Sequence, residues 1–150
     1  MLTKDGCRTR QERLCQRLSD AGIDAMAIVH PLEIYYFTGV LLPEIFPAQP
    51  ALLWIEAGGD SFLAADSDAG EPVVDECVTY VSSLGGTMNS YMRTQLSELV
   101  SDRLQVKGAQ ASRVGFQREF MVKMLGDHIE KGLGSAPEWV DMDETLHEMQ

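Results

Sequence analysis

Apolar positions along the first forty residues change period once, and that change marks a helix followed by a buried strand. Leu14, Leu18 and Ala21 fall on one face of a helix, and Gly22 can end it by taking the left-handed conformation. Thr9-Arg10-Gln11-Glu12 has the form of a capping box and places the start of that helix. Ala25 to Val29 is then an unbroken apolar run, as expected of a strand covered on both faces. Pro31 lacks an amide hydrogen where a new helical turn would not use one, and Ile34, Tyr35, Tyr36 and Phe37 follow it.

Further along, Pro43, Pro47 and Pro50 break up residues 40–50, which read as a loop carrying Leu41, Leu42, Ile45 and Phe46. Residues 51–55 and 61–65 predict two strands, joined antiparallel by a turn at Gly58-Gly59-Asp60. Residues 66–72 are polar and loop-like, residues 78–81 predict a short strand, and Gly85-Gly86 a turn. Met92, Leu96, Leu99, Val100 and Leu104 keep helical spacing across residues 90–104. After a brief strand at residues 113–116, residues 118–131 predict a third long helix. Phe120, Met121, Met124, Leu125 and Ile129 face inward on it, and Gly132 is its stop. Trp139-Val140 is the last strand and Asp143-Glu144 opens a final helix. Strands alternating with helices, plus one hairpin, predict an α/β chain with a mixed sheet and helices on its faces.

The order of elements between residues 10 and 40, with these residues in it, resembles the start of the creatinase/prolidase/aminopeptidase P family. The matching positions are Arg13, Leu14, Leu18, Gly22, Asp24-Ala25, the apolar run from Met26 to Val29, Pro31, and Tyr35-Tyr36-Phe37-Thr38-Gly39. The resemblance implies a ribonuclease-H-like α/β domain with a roughly six-stranded mixed sheet over residues 1–142. Residues 143–150 would then begin a helix leading to a separate catalytic domain. In that family the second domain carries the chemistry, with two divalent metals (Mn, Co or Zn) activating a bridging water. Its ligand motifs cannot be placed on this chain, so no catalytic or metal-binding residue and no cofactor is expected here. The resemblance further implies a homodimer in which this domain reaches over its partner's active site. Tyr36, Phe37, Glu44 and Phe46 are the residues it would bring to that pocket. Some relatives supply an arginine from this segment to hold a substrate carboxylate, but residues 40–53 contain no arginine or lysine.

Charge narrows the partners. A formal net charge of -11 over 150 residues, with a pI near 4.5, argues against nucleic-acid backbone and anionic membrane surfaces. No apolar run approaches the roughly 20 residues that span a bilayer, and the first ten residues contain no signal-peptide core. Cys7, Cys15 and Cys77 are odd in number and lack metal-ligand spacing, which suits a reducing cytoplasm.

Few residues suggest chemistry of their own. His30 sits at the end of the first predicted strand, where α/β folds often place functional groups. His147-Glu148 starts like a zinc motif with no second histidine after it. Glu144 and His147 have di-iron helix spacing without the companion helices that chemistry requires. The acidic loop from Asp66 resembles a calcium loop but carries Cys77 where a bidentate glutamate is needed. The expected function is the non-catalytic N-terminal domain of an Xaa-Pro peptidase-like hydrolase, serving dimerisation and lining the partner's pocket. A stand-alone binding or assembly module with the same fold is the alternative, with the loop 40–50 as its first contact. A self-sufficient hydrolase would have to gather Asp66, Asp68, Asp141 and Asp143.

Overall fold

The computed structural model describes residues 2–42, 49–67, 69–81 and 91–150, with the backbone alone of residues 83–84 and 87–88. In chain order the elements are α1 (Lys4–Asp20), β1 (Ala25–Ile28), α2 (Pro31–Thr38), β2 (Leu52–Glu56), β3 (Ser61–Asp66) and β4 (Glu76–Tyr80). They continue with β5 (Ser83–Leu84), β6 (Thr87–Met88), α3 (Met92–Lys107), β7 (Arg113–Phe116), α4 (Lys123–Leu133), β8 (Glu138–Asp141) and α5 (Asp143–Met149).

Six strands form one sheet in the order β4-β3-β2-β1-β7-β8, and β5 and β6 pair antiparallel as a separate ribbon. Only β2 runs against its neighbours, pairing antiparallel with β1 and β3. The pairs β1–β7, β7–β8 and β3–β4 are parallel. The carboxyl ends of β1, β3, β4, β7 and β8 therefore share one edge of the sheet.

Strand pleating explains the unbroken apolar runs. On β1, β2 and β3, Met26, Ile28, Leu53, Ile55, Leu63 and Ala65 face a core with Leu14, Leu18, Ile34, Phe37 and Leu146. Their neighbours Ala25, Ala27, Leu52, Trp54, Phe62 and Ala64 face a second core with Leu96, Val100, Leu104, Leu125 and Ile129. So α1, α2 and α5 cover one face, and α3 and α4 the other, as a mixed sheet buried on both sides requires.

Two expected helix starts are displaced. The N-cap of α1 is Thr3, whose hydroxyl accepts the Gly6 amide at 3.1 Å. Thr9 lies inside the helix and its Oγ1 donates to the Asp5 carbonyl four residues back at 2.9 Å. A Thr-x-x-Glu pattern that bonds backward in this way caps nothing. The inward stripe is Cys7, Gln11, Leu14 and Leu18, and Ala21 is exposed at the C-cap. Gly22, at φ +68°, does end the helix: its amide donates to Ser19, and the Ile23 amide donates to Leu18 at 2.8 Å.

The other displaced start is that of α4. It begins at Lys123, and a turn occupies residues 118–120. Phe120 and Met124 are consequently 43% and 41% exposed, with Leu125, Ile129 and Gly132 forming the buried stripe. Gly132 is no stop but a contact point. A Cβ built there would lie 2.8 Å from the Ser101 carbonyl oxygen of α3, so α3 and α4 approach closely at that position. The helix ends two residues later at Gly134, φ +79°.

Candidate functional site

The Tyr35-Tyr36-Phe37-Thr38-Gly39 signature is a device for ending α2 and anchoring it. Thr38 is fully buried; its Oγ1 donates to the Ile34 carbonyl at 2.6 Å and accepts the Val40 amide at 3.2 Å. Gly39 takes φ +76°, where a Cβ would be strained. Gln11 of α1, itself buried, donates through Nε2 to the carbonyls of Phe37 (2.9 Å) and Val73 (2.6 Å). Phe37 is 1% exposed and packs edge-on against Tyr36 with ring centroids 5.0 Å apart. As placed, Phe37 offers no side chain to a ligand. Tyr36 is half-buried, with the Arg10 guanidinium 4.8 Å above its ring and its hydroxyl donating to the Met149 carbonyl at 2.8 Å. Tyr36 thus ties α5 to α2. Glu44 and Phe46 lie outside the described residues.

His30 is elsewhere, at the carboxyl edge of the sheet. It follows β1 and forms the N-cap of α2 without capping through its side chain. The helices after the adjacent parallel strands β1 and β7 leave to opposite faces, α2 into one core and α4 into the other. That divergence opens a crevice at the strand ends, the position where open α/β sheets bind ligands. Gln117, the first residue after β7 and 2% exposed, fills its floor. Its Oε1 accepts the amides of Val29 (2.7 Å) and His30 (2.9 Å), satisfying two donors that the separating strands would leave orphaned.

Above Gln117 the His30 ring rests on Phe120, with centroids 4.1 Å apart and planes tilted by 44°. Glu33 accepts from His30 Nδ1 through one oxygen and from Gln150 Nε2 at 2.7 Å through the other. A cleft of about 200 Å³ opens beside this pair. Val29, Leu42, Leu96, Val122 and Leu125 give it apolar walls, and Arg93 and Ser97 of α3 join His30 as polar lining. The buried Ser97 hydroxyl is committed to the Arg93 carbonyl at 2.8 Å. Pro50, another lining residue, accepts the Tyr80 hydroxyl at 2.6 Å. Burial, reinforced by Asp66 and opposed by Arg93, raises the Tyr80 phenol well above its ordinary pKa, so it stays protonated.

The structure brings His30 into a cleft with Glu33 against its ring, but it does not bring Asp66 and Asp141 together there. Asp66 lies on β3 and Asp141 on β8, with β2, β1 and β7 between them, so four strand spacings of about 4.8 Å separate the two. Asp141 accepts the Asp143 amide two residues on at 3.0 Å, and Asp143 accepts the Glu119 amide at 3.2 Å, tying the start of α5 to the turn after β7. Asp68 lies outside the described residues. The hydrolase grouping of these four aspartates is therefore not formed. Among the described residues no three His, Cys, Asp or Glu side chains are placed to hold a metal ion.

Sequence reasoning missed Gln117, Arg93 and the exposed position of Phe120. Gln117 was legible as a lone polar residue closing an apolar strand. Arg93 was legible as a cation opening a helix whose first turn contains no acid.

Comparison with known proteins fits this architecture. A family model described as the creatinase/prolidase N-terminal domain matches residues 10–149. No curated protein is close enough in sequence to match. Solved structures with this fold include the creatinase/prolidase N-terminal domain of an X-Pro dipeptidase from Streptococcus pyogenes. It is 9% identical with a TM-score of 0.66, and the match covers 94% of this chain and 98% of that one. The N-terminal domain of the cytoplasmic peptidase PepQ from Mycobacterium tuberculosis is 18% identical with a TM-score of 0.65, over 95% and 98% of the two chains. The prolidase from Pyrococcus furiosus is 12% identical with a TM-score of 0.62, and the match covers 93% of this chain but 37% of that longer one. At these identities the structures show the shared fold alone, and the family model makes the assignment: this chain belongs to the creatinase/prolidase N-terminal domain family.

Proposed function

We propose that this chain serves as the non-catalytic N-terminal domain of a metal-dependent Xaa-Pro peptidase-like hydrolase. The observation that carries the reading is the family match over residues 10–149, joined to a fold shared with N-terminal domains of X-Pro dipeptidases. That the same fold occupies 37% of a longer prolidase supports a second domain as the seat of catalysis. In this reading two divalent metals belong to that catalytic domain and none to this one. The chain's own tasks are to hold a homodimer together and to line the partner subunit's substrate pocket with the segment following Gly39. The absence of any helix long and apolar enough to cross a membrane among the described residues, with a neighbour called a cytoplasmic peptidase, supports a cytoplasmic setting.

The test is hydrolysis of an Xaa-Pro dipeptide by the gene product purified from its source cells, with manganese added. The 150-residue chain assayed beside it should cleave nothing under the same conditions. Cleavage by the isolated chain would overturn the non-catalytic assignment. A native product inert on Xaa-Pro dipeptides and longer Xaa-Pro peptides would overturn the peptidase reading and favour a binding module.

A further inference from the structure

The cleft between His30 and Arg93 lies wholly within this chain, so what it can bind is a separate question from which enzyme the domain serves. Its walls are apolar, and at about 200 Å³ it is smaller than the pockets that take drug-sized ligands. Although 23 residues of the chain are Asp or Glu, none of those among the described residues lines the cleft. Among the described residues the one full charge lining it is Arg93, and no carboxylate of theirs pairs with that guanidinium. Arg93 also stands in the first turn of α3, where the helix dipole disfavours a cation and no acidic side chain offsets it. On the facing side, His30 has Nδ1 committed to Glu33, so the ring nitrogen left for a ligand is Nε2.

We infer that this cleft binds a small carboxylate with a branched apolar body, its carboxylate held by Arg93 and its hydrocarbon packed against Leu96, Val122 and Leu125. The planar guanidinium presents paired N–H donors that match the two oxygens of a carboxylate. Phe120, tilted against the His30 ring and partly exposed, closes the wall over the hydrocarbon. The source is either a free short-chain acid or the carboxyl terminus of a peptide with an apolar last residue. Both present the same chemistry to the site.

The experiment is an amide-resolved NMR titration of the 150-residue chain with three probes: 4-methylpentanoate, 4-methylpentanamide and N-acetyl-leucyl-leucine. The expected result is saturable shifts at Val29, His30, Leu96, Ser97 and Leu125, with the acid binding at least roughly tenfold tighter than its amide. Arg93→Gln, a surface substitution that leaves both cores intact, should bring the acid down to the affinity of the amide. A Phe120→Ala variant should weaken acid and amide alike. Binding of the acetylated dipeptide at the same residues assigns the source to peptide ends, and its failure beside a bound acid assigns it to free acids. The proposal is overturned if the acid gives no saturable shift at these residues, if acid and amide bind equally, or if Arg93→Gln leaves their ratio unchanged.

Discussion

Two glycines of α4 should respond to the same substitution with opposite signs. An alanine Cβ at Gly126 would meet nothing within 4 Å, whereas at Gly132 it would lie 2.8 Å from Ser101 O, 2.9 Å from Leu104 Cβ and 3.0 Å from Ser101 Cα. Two of those three atoms are backbone of α3, so relief requires the helices to separate. Replacing glycine by alanine inside a helix gains roughly 0.5–1 kcal/mol from propensity and the unfolded chain. At Gly126 nothing opposes that gain, and Gly126→Ala should stabilise by about that amount. At Gly132 overpacking of about 1–3 kcal/mol acts against it, leaving Gly132→Ala a net loss of roughly 0.5–2 kcal/mol. Urea unfolding followed by far-ultraviolet circular dichroism measures both, and for a chain of this size each kcal/mol moves the melting temperature by about 2–4 °C. If Gly132→Ala stabilises the chain as much as Gly126→Ala, then α3 and α4 do not meet at Ser101 and the packing of that face is wrong.

Gln117→Leu should destabilise the chain by about 1–3 kcal/mol in urea unfolding, because it strands the part-buried amides of Val29 and His30; a loss below about 0.5 kcal/mol would remove Gln117 from the crevice floor. Tyr80→Phe should cost about 1 kcal/mol at neutral pH through the lost bond to Pro50. The same variant should soften alkaline unfolding: the folded chain holds a phenol proton that the unfolded chain releases near pH ~10, so stability is full below that pH and lost above it. Identical alkaline slopes for the parent and Tyr80→Phe would contradict the buried phenol. Cys77 is exposed and Cys7 fully buried, so a disulfide reagent should label Cys77 first and Cys7 only on unfolding. Burial raises the Cys77 thiol above its ordinary pKa, so its labelling rate should still climb with pH past that value; a plateau at neutral pH would refute this.

Much of the fold could be read from residue periodicity because both faces of the sheet are covered. The runs at Ala25–Ile28, Leu52–Glu56 and Ser61–Asp66 have no polar alternation, and each lies in the buried sheet as expected. The same reasoning failed at helix starts, where a local pattern has two meanings. Thr9 could cap or bond backward, and only the presence of Thr3 three residues before Gly6 decides it. Phe120 and Met124 share an apolar spacing with Leu125 and Ile129, yet the turn at residues 118–120 sets a phase that exposes the first two. The cleft was half visible. His30 stood out at a strand end, but Arg93 and Gln117 reach it from elements 63 and 87 residues away in sequence, and no local pattern encodes a meeting over that separation.

The mass of the native gene product, read by immunoblot with an antibody against this domain, tests most directly whether it works as one part of a two-domain hydrolase. A band well above 16.6 kDa is the expected result. A band at 16.6 kDa would contradict the reading and leave a free-standing member of the family whose partners remain to be found.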